Sequence, residues 1–337
     1  MSLPTIGIAG IGTYFPPHIE TAAEIVERTG IPESILQQKM GIVQRHIAGE
    51  TDTISHMATI AAQRALEDAG IPPSAVGAVI SHGSEHKDHL VWNAAAKIQG
   101  NLGAVNAFAF EVYALCAGAA IAVGAAQGLM IANPSLACAV LVAASREHDL
   151  VNLSNPRTRF MTNFGAGAGA MVLARDYPRN HIVGMSAFTD GSLAEAVILS
   201  QSREVAGERP EVSADLRGKL DVIQPEYMTE RLGETSLRNF VRVIEEATSR
   251  AGAGLGDIAF LGITHMKRSF YEEILAAVGL TPAQSVYLQD YGHVQSADQV
   301  LALQLGLQAG TIRPGDLVVL AGAGVGYTWS ALAIRWG

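Results

Sequence analysis

The sequence predicts an α/β fold made by duplicating one unit, and three observations carry that prediction. First, apolar, β-prone runs alternate with segments whose apolar residues recur at helical spacing. Second, the chain rhymes with itself. Thr53 to Gly70 reads as a helix through Met57, Ile60, Ala61, Ala65 and Leu66, ends in Ala69-Gly70, and leads to an apolar strand, Val76 to Ser81. Phe240 to Gly252 ends the same way, in Ala251-Gly252, and leads to the strand Ile258 to Thr264. Third, Cys116 and His293 each open a long apolar helix, and those helices lead to the buried strands Val140 to Val142 and Leu317 to Val319. If the halves pack face to face about a pseudo-twofold axis, Cys116 and His293 lie at equivalent helix N-termini and converge on one pocket.

Taken in order, Thr5 to Gly12 reads as a buried strand and Tyr14 to Pro17 as a turn. Ala22 to Arg28 and Pro32 to Lys39 read as short helices, and Gly41 to Ala48 as a strand. After the helix and strand of the first unit, His82 to His89 is a polar loop and Asn93 to Gly100 a helix. The run from Phe108 leads to Cys116, and the small residues Ala117 to Gly128 read as a buried helix. Ala137 to Ala144 is apolar throughout, as strands covered on both faces are. Phe164 to Ala174 is glycine-rich and then strand-like. Gln201 to Thr235 is charged, contains Pro210 and Pro225, and has no counterpart in the first half, so it reads as an excursion that edges the site.

The chain has 337 residues, 49% of them hydrophobic and 16% charged, enough for a large core. No run long enough for a membrane span is free of Gly, Pro or polar breaks, and no basic region precedes the first apolar run, so neither a membrane helix nor a signal peptide is expected. Two cysteines, Cys116 and Cys138, give no disulfide framework and fit a reducing, cytoplasmic setting. A net charge of −9 argues against broad nucleic-acid binding.

Cys116 stands where a strand turns into a helix N-terminus. Unpaired backbone N–H groups there carry partial positive charge, which favours a thiolate, and a thiolate attacks thioesters. The plainer reading is a buried, apolar cysteine, which is also the reading of Cys138. A nucleophile needs a base, and the base needs an orienter. His293 supplies the first and Asp298, five residues on, the second; His265, at the C-terminal edge of the strand Leu261 to Thr264, is a further polar group. The plainer readings are hydrogen-bonded histidines and a carboxylate at a helix start. In Gly322-Ala323-Gly324-Val325-Gly326, Gly324 and Gly326 let backbone N–H groups approach a substrate and, with the Cys116 N–H, form an oxyanion hole. That run and Gly165 to Gly169 both precede strands, so neither reads as a dinucleotide loop. His82, His86, Asp88 and His89 read as a solvated loop rather than metal ligands, and no metal or other cofactor is expected.

From end to end the chain resembles the ketoacyl synthase III family of the thiolase superfamily. Gly10 to Pro17 resembles the family's start, Gly41-Ile42-Val43-Gln44-Arg45-His46 its Gly-Ile-x-x-Arg-His signature, and Cys116-Ala117-Gly118 its nucleophile motif. Phe164 to Ala170 resembles its Phe-Gly-Asp-Gly-Ala-Gly-Ala with Ala166 for the aspartate, and Gly322 to Trp329 its C-terminal glycine turn. The resemblance implies a duplicated five-layer αβαβα fold with pseudo-twofold halves, residues 1–175 carrying the nucleophile and 176–337 the histidines. It also implies a homodimer and a ping-pong reaction in which an acyl group passes from coenzyme A or acyl carrier protein to the cysteine, then to a second substrate. Condensing members carry Cys, His and Asn. Here the His falls on His265, followed by Met266-Lys267-Arg268, and His293 occupies the Asn position. His293 followed by Asp298 resembles a branch that esterifies hydroxyl groups in natural-product pathways. Ile35 stands where typical members have the Trp that stacks on the adenine of coenzyme A, which favours a carrier-protein donor; Lys267 and Arg268 can meet such a carrier or its phosphate, or form a solvated cationic pair. Val91 and Trp92 are expected to wall the pocket across the dimer.

The leading expectation is therefore a thioester-dependent acyltransferase giving a β-ketoacyl product with malonyl thioester. Transfer to a hydroxyl acceptor is the close alternative. A non-catalytic partner of a synthase complex and a hydrolase of activated acyl groups are the others.

Overall fold

A computed structural model describes residues 3–199 and 218–337. The first half runs β1 (Ile6–Tyr14), β2 (Ile19–Thr21), α1 (Ala22–Thr29), β3 (Gln44–His46), α2 (Ile54–Ala69), β4 (Ala78–His82), α3 (Ala94–Leu102), β5 (Phe108–Val112), α4 (Gly118–Ala132), β6 (Cys138–Ser145) and β7 (Gly167–Arg175). The second runs β8 (His181–Thr189), β9 (Val197–Leu199), β10 (Leu220–Val222), α5 (Pro225–Arg250), β11 (Ile258–Ile263), α6 (Arg268–Ala277), α7 (Ala297–Gln308), β12 (Leu317–Gly324) and β13 (Thr328–Arg335).

Local chemistry sets the best-defined ends. Thr53 caps α2 by accepting from the His56 N–H, and Gly70 closes it in the left-handed region at φ 65°. Thr21 and Glu24 form a capping box on α1.

The large sheet has two halves with one topology. Outward from the middle, one half runs β1-β7-β6-β4-β5 and the other β8-β13-β12-β11. The directions match pair for pair: β1–β7 and β8–β13 antiparallel, β6–β7 and β12–β13 antiparallel, β4–β6 and β11–β12 parallel. Where the first half adds β5 beside β4, the second adds only a parallel bridge from Ser285 to Leu261. Among the described residues a single strand pair, Gly7 with His181, joins the two half-sheets.

Five layers result. α2 and α3 cover one half-sheet through Ala61, Ala65, Leu66 and Ile98. α5 and α6 cover the other through Phe240, Val243, Ile244 and Ile274. α4 and α7 lie between the half-sheets, packing Ala119, Val123, Met130, Val300 and Leu303 against strand residues of both. That placement explains the one segment among the described residues, Leu115 to Ala132, that by length and apolarity alone passes for a membrane span.

Several expectations need correction. The strand expected over Gly41 to Ala48 is only β3, and the helix expected over Pro32 to Lys39 is one π-turn, Ile35–Met40. β8 and α6 were not anticipated. Of the excursion read over Gln201 to Thr235, residues 201–217 lie outside the described part; from Pro225 on it is the start of α5, whose Met228 and Leu232 edge the cavity. The helix expected to open at His293 starts at Ala297. His82 is no solvated loop residue but the buried end of β4. The three residues grouped with it diverge: Asp88 accepts from the Ile54 and Ser55 N–H groups at the start of α2, His86 faces Asp149, and His89 stands edge-on to Trp92. Among the described residues no cluster of three metal-ligating side chains occurs.

Candidate active site

Cys116 sits in a single 3₁₀ turn, Leu115–Ala117, that feeds straight into α4. Leu115 adopts φ 47°, an unusual backbone for a branched side chain, and this sharp turn aims the cysteine out of the sheet edge. Gly324 explains why β12 can lie against it. A Cβ there would stand 2.4 Å from the Ala114 carbonyl oxygen and 3.1 Å from the Cys116 nitrogen. Of the two glycines expected near the Cys116 amide, the structure brings Gly324 there. Gly326, at φ 82° in the turn before β13, has no neighbour within 4 Å of a Cβ position.

His293 comes to Cys116 from the other half. Its Nε2 lies 3.0 Å from the Cys116 Sγ, and its Nδ1–H donates to Asp298 Oδ2 at 2.5 Å. Asp298, the second residue of α7 and fully buried, also accepts from the Val294 N–H at 2.8 Å and the His265 N–H at 2.7 Å. A buried carboxylate has to be compensated, and three donors do that. Burial disfavours the His293 imidazolium, but the charges of Cys116 and Asp298 and the hydrogen bonds to both outweigh it, holding the ring well above its ordinary value. His293 is also pinned through its backbone, with its N–H on the Asn163 carbonyl and its carbonyl on the Gly165 N–H. Arg45, paired with Glu20, holds the adjacent Thr162 and Phe164 carbonyls.

His265 shares the cavity but stands differently. Its Nε2–H donates to the Gly41 carbonyl at 3.0 Å, and its Nδ1 accepts from Asn163 Nδ2 at 2.9 Å. Burial pushes it down to about 4, against a smaller opposing pull from Asp298, so the ring is neutral with both nitrogens engaged.

The cavity holding Cys116, His293, His265 and Asn163 runs outward between α5 and α6, past Met228, Leu232, Phe240 and Phe270. Lys267 is exposed on its rim. Arg268 does not line it; its guanidinium stacks 4.2 Å from the Tyr287 ring centre and donates to Gln289. Val91 is fully exposed at φ 51°, and Trp92 packs on the α2–α3 core, so neither lines the cavity of its own chain. Ile35 is half-buried against the small cluster of α1. Cys138 is buried and free, its thiol pushed up to about 11 by burial.

Comparison with known proteins agrees with this architecture. The sequence profile of 3-oxoacyl-[acyl-carrier-protein] synthase III matches residues 110–191, and the profile of its C-terminal part matches residues 248–336. The beta-ketoacyl-[acyl-carrier-protein] synthase III of Thermosynechococcus vestitus is 30% identical over the whole of both chains. This chain belongs to the ketoacyl synthase III family. As a member it is an acyl-transferring enzyme with the thiolase-like fold. Among solved structures, the synthase III of Thermus thermophilus superposes with a TM-score of 0.85 at 25% identity, covering 98% of this chain and 99% of that one. The priming ketosynthase of the R1128 polyketide pathway gives 0.87 at 24% identity, covering 99% and 97%, a likeness of fold.

Within this synthase III scaffold three site residues escaped sequence reasoning. Asn163, in the segment before β7, holds His265. Gln295 accepts a hydrogen bond from the Cys116 thiol at 2.8 Å. Gln299 donates to the Cys116 carbonyl at 3.1 Å. The two glutamines stand in the same short stretch as His293 and Asp298, which was the available signal. Nothing in the sequence near Asn163 pointed to His265, a hundred residues on.

Proposed function

We propose that this synthase III transfers an acyl group from a carrier-protein or coenzyme A thioester, through acyl-Cys116, to a hydroxyl acceptor. The observation that carries this is the line Asp298–His293–Cys116, beside a His265 whose two nitrogens are both occupied. An ester-forming site needs a base that takes a proton and keeps it through the transition state. His293, backed by a buried carboxylate and raised, fits that task. A condensing site needs two hydrogen-bond donors aimed at an enolate oxygen. His265 gives its one N–H to Gly41 instead.

In the first step His293 Nε2 takes the Cys116 proton, the sulfur attacks the thioester carbonyl, and the carrier thiol leaves with the proton from His293. The oxyanion is met by the Cys116 N–H, with Gly324 as the second backbone group; Gly326 lacks a contact that supports the same role. In the second step the acceptor hydroxyl gives its proton to His293, its oxygen attacks the acyl carbonyl, and Cys116 leaves and recovers the proton. Asp298 keeps Nδ1 protonated, so Nε2 faces the sulfur throughout. The exposed Lys267 at the rim suits the phosphate of a phosphopantetheine arm or an acidic carrier surface, and Ile35 offers an adenine no flat partner. Arg268, tied to Tyr287 and Gln289, supports that approach only through the start of α6.

The second reading, condensation with a malonyl thioester, is favoured by the full-length likeness to beta-ketoacyl-[acyl-carrier-protein] synthase III. Intact-protein mass spectrometry with malonyl and longer acyl thioesters separates the two. A malonyl adduct on Cys116 that keeps its carboxylate, absent in Cys116→Ala, is the expected result. An acyl adduct that then consumes malonyl thioester with release of carbon dioxide would establish condensation. No adduct from any donor would leave the non-catalytic partner.

We also place the active form as a homodimer. β5 is a sheet edge with Phe108 half-exposed; among the described residues it pairs only with β4, so a second copy can extend its outer side, and Val91 stands exposed to reach a partner's cavity with Trp92 behind it. Sedimentation of wild type against Phe108→Lys tests this: a wild-type monomer would end it.

A further inference from the structure

We propose that Gln295 is a catalytic residue whose carboxamide steadies the charge on the Cys116 sulfur, held in place by Ser296 and His82. The inference rests on Cys116 being the nucleophile, not on which acceptor is used. The sulfur has two side-chain hydrogen-bond partners, His293 and Gln295. Gln295 is 3% exposed and stands at φ 58°, a backbone that a side chain with a β-carbon seldom adopts. Such a conformation persists where the surroundings over-determine it.

Here they do. The next residue, Ser296, is fully buried, and its Oγ lies 2.8 Å from His82 Nδ1 at the end of β4. Two glycines leave room for that hydroxyl: a Cβ on Gly83 would stand 2.1 Å from it, and one on Gly118 3.3 Å. His82 is fully enclosed, its proton affinity driven down by burial to about 3, and among the described residues its Nε2 has no partner. A neutral ring there does one thing that the structure records: it grips the turn that carries Gln295. So β4 of one half locks the amide of the other half onto the sulfur.

A carboxamide has an acceptor end and a donor end. While the sulfur is a thiol its hydrogen goes to Oε1, and it swings to His293 Nε2, 3.0 Å from the sulfur, when the proton is transferred. Turned by half a rotation, the same carboxamide offers Nε2–H to a sulfur that carries charge, before attack on the donor and again when Cys116 departs. The other titratable groups around the sulfur are His293 with Asp298 behind it, His265 in the same cavity, and Tyr327, whose ionisation burial and, after it, the Cys116 charge disfavour.

The test is the pH profile of Cys116 alkylation by iodoacetamide, mapped by mass, in wild type, Gln295→Gly, Gln295→Asn and His82→Asn. Glycine accepts the left-handed backbone, so Gln295→Gly removes the amide while relieving the turn. The expected result is alkylation of Gln295→Gly about tenfold slower at pH 7, the loss of one hydrogen bond to a charged group, with its profile displaced to higher pH. Gln295→Asn, which keeps an amide, should recover part of the rate, and His82→Asn should slow it less than Gln295→Gly does. A folded Gln295→Gly protein with the wild-type profile overturns the proposal. If the profile shifts as expected but wild type takes no acyl group from any thioester, Gln295 stands and the acyl-transfer reading falls.

Discussion

The junction that enters α4 and the junction that enters α7 are built alike and do different things. Each holds one left-handed residue with a long side chain, Leu115 in the first and Gln295 in the second, and each then places a small polar residue just ahead of its helix, Cys116 and Ser296. The strands that end beside them also match, β4 at His82 and β11 shortly before His265. By this register the counterpart of Cys116 is Ser296, and His293 lies three residues upstream in the approach to the turn; the sequence rhyme alone had paired Cys116 with His293. Both junctions have a helix N-terminus. Only Cys116 has a cavity in front of it and an Asp-backed histidine beside it, whereas Ser296 is sealed against His82. A helix dipole does not by itself make a nucleophile; access and a base decide.

The largest expected effect tests that contrast at its ends. Cys116→Ala should abolish the acyl adduct and lower turnover on the order of 10,000-fold or more, while Ser296→Cys in that background should take no acyl group. Acylation at position 296, read by peptide mass, would break the comparison. Next, Asp298→Asn should lower the rate roughly 100- to 10,000-fold by releasing the His293 tautomer, with donor KM nearly unchanged in steady-state kinetics. A loss confined to KM would mean that Asp298 only shapes the pocket.

The third effect is on stability and has one sign for His82 and His265 and the opposite sign for His293. Unfolded, each takes a proton near pH 6.5; folded, His265 does so only near 4 and His82 near 3. Between those values the unfolded chain holds more protons, so stability falls as pH is lowered through that window, by about 3 kcal/mol for His265 alone. His293 is raised, so its contribution is full below pH 6.5 and fades as pH rises through its folded value. Denaturant midpoints against pH should show the acid limb, and His82→Asn should flatten it; an equally steep limb would show that His82 is not its source. The smallest effect is packing: Gly324→Ala should cost about 2 kcal/mol by pressing a methyl on the Cys116 turn, seen as a lowered thermal midpoint.

Much of this was legible in the sequence because it is local or periodic. Capped helices such as α2 and fully apolar strands such as β6 announce themselves, and the repeat exposed the duplication. Cys116, His293 and Asp298 could be picked out by residue type and spacing, and the structure sets them within hydrogen-bonding reach of each other. What stayed hidden depends on pairings across the chain. His265 looked like a free participant until Asn163 and Gly41 occupied its nitrogens. The charged stretch from Pro225 read as an excursion with no helix in it because the apolar face of α5 is read only against the half-sheet it covers.

The single joint between the half-sheets bears on how the chain comes to be made. β1 is made before every other strand of its sheet, yet its neighbours are β7, through pairs such as Gly12 with Ala170, and β8, through Gly7 with His181. The oldest strand therefore waits for residues synthesised much later, roughly 10–30 s at ordinary elongation rates. Until then its apolar face, Ile6 and Ile8 among it, has no sheet to join. Late and cooperative closure of both halves, rather than strand-by-strand growth, is the assembly that this topology implies.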